Sequence, residues 1–168
     1  MKVNVIGVAS AIIAFASLAL PWWTMTISLL ETPLSWDMYT WGVRSPTEGD
    51  ALLFDFADSY RYAALAFIVV GAILGLAGSV TVRRRGWTIL ATSGISIILA
   101  AIIFVAGLAT DPALTGATPP IGIFESKEIS IPEFSYSIST YFNIGFFLAI
   151  TAAILASISL LRQPTALS

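Results

Sequence analysis

Four stretches of this chain, about 3–23, 62–82, 87–108 and 141–161, each run for roughly twenty residues without a charged side chain. A hydrocarbon layer about 30 Å thick takes about twenty apolar residues in a helix to cross, so the spacing predicts four transmembrane helices in one integral membrane domain covering 1–168. Composition agrees: 57% of residues are hydrophobic and 11% charged, against about a quarter charged in soluble domains. Ala14-Phe15-Ala16 resembles a signal-peptide cleavage site. The apolar run continues past it through Leu18 and Leu20, and Lys2 alone precedes it, so the first run is read as a span.

Charge sets an orientation. Lys2, Arg83, Arg84, Arg85 and Arg162 share one side with no acidic residue. The other side holds Arg44, Arg61 and Lys127 against ten carboxylates, at Glu31, Asp37, Glu48, Asp50, Asp55, Asp58, Asp111, Glu125, Glu128 and Glu133. Positively charged short loops stay in the cytoplasm, which predicts both termini inside and the loops 24–61 and 109–140 outside, in a plasma-membrane setting. The four residues Arg83-Arg84-Arg85-Gly86 join two adjacent antiparallel helices.

Both outer loops carry strand signals. Thr24, Thr26 and Ser28 alternate with Met25, Ile27 and Leu29, the period of a half-buried strand. After a turn expected at Thr32-Pro33, Leu34, Trp36 and Met38 share one face while Ser35, Asp37 and Tyr39 share the other. Trp41-Gly42 closes this hairpin. Residues 51–60 fit a short amphipathic helix. In the second loop a further hairpin is expected around Ser126-Lys127, and Phe134–Ser139 alternates again.

Chemistry is sparse. With no cysteine and no histidine, disulfides, thiolate or imidazole metal ligands and His- or Cys-based nucleophile pairs are excluded. Lys127 lies in a polar loop, which gives no Ser–Lys pair. Glu48, Asp50, Asp55 and Asp58 match no calcium-loop spacing and read as a solvated acidic surface. No catalytic residue, cofactor or metal is expected, and no nucleic-acid partner. The spans contain no charged residue, the usual mark of a transport pathway.

Two constellations remain. Gly71, Gly75 and Gly78 in the second span, and Gly145 and Ala149 in the fourth, are small residues at near-helical spacing, which lets backbones approach in lipid. Packing within the bundle is the first reading and a dimer seam the second. Trp22, Trp23, Trp36 and Trp41, with Gly42 following, concentrate large aromatics in the first loop. Anchoring at the headgroup level together with packing of the sheet onto the bundle is the first reading, a protein-binding patch the second. Arg61, one residue before the second span, is expected to tie the outer sheet to that helix through a carboxylate or backbone carbonyls.

Pro21-Trp22-Trp23 leaving the first span, Trp36 with Trp41-Gly42 in the loop, and Arg61 entering the second span resemble the claudin-like tetraspan superfamily. The resemblance implies a left-handed four-helix bundle under one small outer antiparallel sheet, with cytoplasmic termini. It also implies a non-enzymatic role, as an accessory subunit of a larger membrane complex or as a self-associating surface protein. The two cysteines of the family's loop signature are missing, as in a prokaryotic or archaeal relative, and the seven-residue tail Arg162–Ser168 implies no cytoplasmic scaffold recruitment. The alternative is a small channel or transporter component with its pathway at a subunit interface.

Overall fold

The computed structural model describes residues 3–29, 32–44, 58–81, 84–110, 124–131 and 134–161. Among them the order is α1 (Val5–Leu18), β1 (Trp23–Leu29), β2 (Thr32–Met38), β3 (Val43–Arg44), α2 (Asp58–Val80), α3 (Arg84–Thr110), β4 (Phe124–Ile131), β5 (Phe134–Phe142) and α4 (Ile144–Leu161). α2, α3 and α4 contain segments of 22, 26 and 18 residues that are long and apolar enough to cross a membrane.

The helices close into a ring, α1 against α2 and α4, and α3 against α2 and α4. Their shared core is built from small residues. Ala11, Ala14, Ala64, Ala72, Ala100, Ala149, Ala152 and Ala156 are buried. Serines fill the seams and bond the neighbouring backbone: Ser10 Oγ donates to Ala152 O at 2.7 Å, Ser93 Oγ to Gly71 O at 2.7 Å and Ser96 Oγ to Phe67 O at 2.9 Å. In lipid such close approach replaces the solvent-driven packing of large side chains.

α1 is shorter than the expected span 3–23. Its fourteen residues rise about 21 Å, and the chain leaves the helix before Pro21, whose ring and missing N–H oppose an interior helical position. Residues 19–22 are non-helical, and their backbone groups find protein partners. Trp22 N donates to Met38 O at 2.8 Å, Asn143 N to Trp22 O at 2.9 Å and Gly145 N to Pro21 O at 2.9 Å. Irregular backbone in a membrane protein is tolerated where its polar groups are bonded within the protein in this way. At the opposite end, Asn4 caps α1 by accepting from Gly7 N at 3.2 Å, bonds Ser79 O through its own N–H at 2.9 Å and donates from Nδ2 to Ser159 O at 3.1 Å. That clasp holds the ends of α1, α2 and α4 level.

Opposite the Asn4 end stands one antiparallel sheet of order β3-β2-β1-β5-β4, four long strands and the two-residue β3. Three expectations are corrected by its register. Leu29 pairs with Thr32 and Ser28 with Pro33, so Thr32 and Pro33 belong to β2 rather than to a turn. Among the described residues β3 reaches only Asp37 and Met38 of β2, and a proline in a strand is tolerated where no ladder needs its N–H. Ile131 pairs with Phe134, so Ser126 and Lys127 lie within β4 rather than at a turn. Tyr141 and Phe142, expected to open the fourth span, end β5 opposite Thr24 and Trp23, and α4 starts only after Asn143. The helix expected over 51–60 falls at 51–57 outside the described residues, while Asp58, Ser59 and Tyr60 form the first turn of α2.

Candidate interaction surface

The alternation in β1, β2 and β5 sorts the sheet into two faces. Trp23, Met25, Trp36, Met38 and Ile138 are buried on the inner face. They join one continuous core with Ala64, Ile68, Phe104 and Leu108 of α2 and α3, and Tyr60 packs against it. The sheet is thereby seated on the ends of α2 and α3 that rise past α1. Trp22 marks the joint. It is fully buried, lies 5.1 Å from Phe104 and 5.8 Å from Phe146 between ring centroids, and donates from Nε1 to Ser17 O at 3.0 Å.

The outer face is polar. One row crosses four strands as Ser35, Thr26, Ser139 and Ser126, all hydroxyls. Ser35 and Thr26 are 2.9 Å apart, and Ser139 donates to Ser126 at 3.1 Å. The next row toward the bundle runs Arg44, Asp37, Thr24, Tyr141 and Phe124. Here a chain of hydrogen bonds passes from helix to sheet: Asn143 Nδ2 donates to Thr24 Oγ1 at 2.8 Å, and Thr24 Oγ1 donates to Asp37 Oδ1 at 2.7 Å. Cross-strand hydroxyl and acid–hydroxyl pairs of this kind fix register.

The residues singled out from sequence divide. Trp22, Trp23 and Trp36 are core residues, not headgroup anchors; the period-two pattern carries Trp23 and Trp36 to the face that meets α2 and α3. Trp41 is 54% exposed, stacks on Tyr39 at 4.8 Å between centroids and donates from Nε1 to Leu18 O at 2.8 Å. Two indoles thus occupy carbonyls at the C-terminal end of α1, which an α-helix leaves unsatisfied. Gly42 accepts from Tyr39 N at 2.7 Å through its carbonyl, closing the turn into β3. Arg61 is half-buried, with its guanidinium carbon 5.2 Å from the Tyr62 ring centroid. Asp55, one of its expected partners, lies outside the described residues, as do Glu48 and Asp50.

The small residues face inward. A Cβ on Gly71 would stand 2.7 Å from Ile97, one on Gly75 3.1 Å from Ser93, and one on Gly78 2.9 Å from Leu90. At Gly145 it would meet Leu20 O at 2.6 Å and Pro21 O at 2.7 Å, which is where the sheet root crosses α4. Ala149 is fully buried in the same core.

Asn143 and Thr40 join the residues expected from sequence at this joint. Asn143 carries a legible signal, an asparagine immediately before an apolar run, the usual N-cap. Thr40 carries none. Its hydroxyl and the Trp23 indole N–H are buried and have no hydrogen-bond partner among the described residues. No group of three or more His, Cys, Asp or Glu that could hold a metal ion occurs among the described residues. No protein-family model matches the chain and no curated protein matches it.

Proposed function

We propose that this is a non-enzymatic, multi-pass protein of the plasma membrane. Its outer sheet is held rigidly by the bundle and presented for protein–protein interaction, in the manner of an accessory subunit of a larger membrane complex or a self-associating, claudin-like surface protein. The observation that carries this reading is the two-faced sheet. Its inner face is continuous with the transmembrane core, and its outer face is a register-matched array of Ser, Thr and Asp side chains. A scaffold that pins a loop region this firmly keeps a surface ready-shaped, so a partner need not fold it on binding. The five-to-none charge asymmetry supports the reading that this surface faces the outside of the cell.

Purification from native membrane in mild detergent tests the reading. A stoichiometric larger partner or a homo-oligomer, lost on Ser35→Arg/Ser139→Arg exchange of the outer face, is the expected result. A monomer without partners that conducts ions in liposomes would overturn it in favour of a channel component.

A further inference from the structure

Three exposed side chains from separate parts of the chain stand at one height on the bundle. Asn4 bonds Ser79 O and Ser159 O, so the ends of α1, α2 and α4 share a level. At the rise of an α-helix, Leu18 lies about 21 Å above that level, Ile144 about 22 Å and Tyr62 about 25 Å. Trp41 joins this height because its indole donates to Leu18 O. Trp41, Tyr62 and Ile144 are each more than half exposed, at 54%, 53% and 54%.

Polarity changes at the same height. Below it, 5–18, 62–80 and 144–161 hold no charged residue. One residue above it, polar groups begin on both helices. Arg61 precedes Tyr62, with its guanidinium carbon 5.2 Å from that ring, and Asn143 precedes Ile144 and donates to Thr24 Oγ1. The opposite end repeats the pattern. Gly78 faces Leu90 across the α2–α3 seam, so Trp87, three residues nearer the start of α3, lies about 28 Å from Tyr62 along the bundle. Trp87 is 51% exposed, and Arg85, two residues before it, is exposed as well. That separation is close to the thickness of a hydrocarbon core, about 30 Å.

We infer that Trp41, Tyr62 and Ile144 form a lipid-anchoring belt at the hydrocarbon edge of the leaflet on the sheet side, with Trp87 as its counterpart in the other leaflet. Indole and phenol rings favour this zone because the ring is apolar while its N–H or O–H is wet. Ile144 supplies the purely apolar edge. A patch for a protein partner needs no common height on separate elements, whereas a fluid planar surface imposes one. The belt sets the depth of the whole molecule: Asn143 and Arg61 enter the headgroup layer, and the outer rows of the sheet stand above it.

The inference rests on the reading that these helices cross a membrane, and the test separates the two. The native chain has no cysteine, so single cysteines at exposed positions are spin-labelled and the full chain is reconstituted into phosphatidylcholine vesicles. Depth is read from the collision rates of each label with oxygen and with a water-soluble nickel chelate. Ile12→Cys and Val70→Cys, exposed and roughly halfway up to the belt, report on insertion. Ser126→Cys, exposed on the outer face of the sheet, reports bulk water. Labels at 12 and 70 that meet nickel as freely as the label at 126 would overturn the membrane reading itself. With those two deep, Trp41→Cys, Tyr62→Cys and Ile144→Cys are expected at a common depth about 15 Å from the bilayer centre, the edge of the hydrocarbon. Trp41→Cys also removes a hydrogen bond to α1, so the labels at 62 and 144 decide. Either of them as deep as the label at 70, or as open to nickel as the label at 126, would overturn the belt while leaving the spans in place.

Discussion

Asn143 joins helix, sheet and linker within one residue. Its N–H donates to Trp22 O, its carbonyl accepts from Phe146 N at 3.1 Å, its Oδ1 accepts from Ile144 N at 2.7 Å and its Nδ2 donates to Thr24. Replacement by alanine keeps the main-chain bonds and removes the side-chain pair, at a cost of about 1–2 kcal/mol. Asn143→Ala should therefore lower the thermal midpoint in detergent and speed proteolysis of the outer loops. Two glycines make a sharper contrast. A methyl at Gly145 runs into two backbone carbonyls, which cannot rotate away, whereas nothing lies within 4 Å of one at Gly42. Gly145→Ala should destabilise by roughly 1–3 kcal/mol and Gly42→Ala by far less, read side by side as midpoints of unfolding. Equal midpoints would show that the root of the sheet yields more than this packing allows.

At the level of elements, the decisive fact is how a fourteen-residue helix meets a sheet. α1 ends at a short segment whose polar groups are covered by neighbours, and Trp22 and Trp41 each give an indole N–H to its last carbonyls. Trp41→Phe retains the stacking surface toward Tyr39 and loses one hydrogen bond, worth about 0.5–1.5 kcal/mol. Hydrogen exchange should accelerate in the last turn of α1 with little change elsewhere. A second link is proposed at the start of α2. Tyr60 packs against the core, and Arg61 follows it at half burial beside Tyr62. A guanidinium offers several fixed donors that an ammonium cannot reproduce. Arg61→Ala should loosen the outer loops by roughly 1–3 kcal/mol if its bonds are charge-assisted, while the bundle stays inserted. Limited proteolysis reads this directly, and full rescue by Arg61→Lys would reduce Arg61 to a residue that merely reaches the headgroups.

For the molecule as a whole, the charge asymmetry predicts an orientation that labelling can test. Arg84 and Asp37 lie at opposite ends of the bundle, one opening α3 and the other in β2. In intact cells, a membrane-impermeant thiol reagent should label Asp37→Cys and spare Arg84→Cys; the native chain has no cysteine to confuse the result. The reverse pattern would invert the whole arrangement and put the sheet in the cytoplasm. The same ends differ in character. Serine, threonine and carboxylate side chains crowd the sheet end, while the other end has cations.

Much of this was legible in the chain because two signals are local and strong. An uncharged run of some twenty residues has few low-energy fates other than a buried or lipid-facing helix, and the runs opening at 62 and 87 became α2 and α3 with their ends shifted by a few residues. Period-two alternation likewise placed Trp36 and Met38 on one face and Ser35 and Asp37 on the other, because successive strand residues point to opposite sides. The boundaries of the first and fourth runs were not legible. Leu20, Trp22, Tyr141 and Phe142 are apolar enough for a span, yet β1 pairs with β5 across more than a hundred residues of sequence and draws this stretch into the sheet and its root. The same distant pairing turned Trp23 and Trp36 into core. Hydropathy reports only that a residue avoids water, and burial against α3 satisfies that as fully as lipid does. Residue chemistry determined the number of apolar elements and the face each strand residue would take. Tertiary structure alone decided where helix gave way to strand, because that choice depended on which backbone partners were within hydrogen-bonding reach.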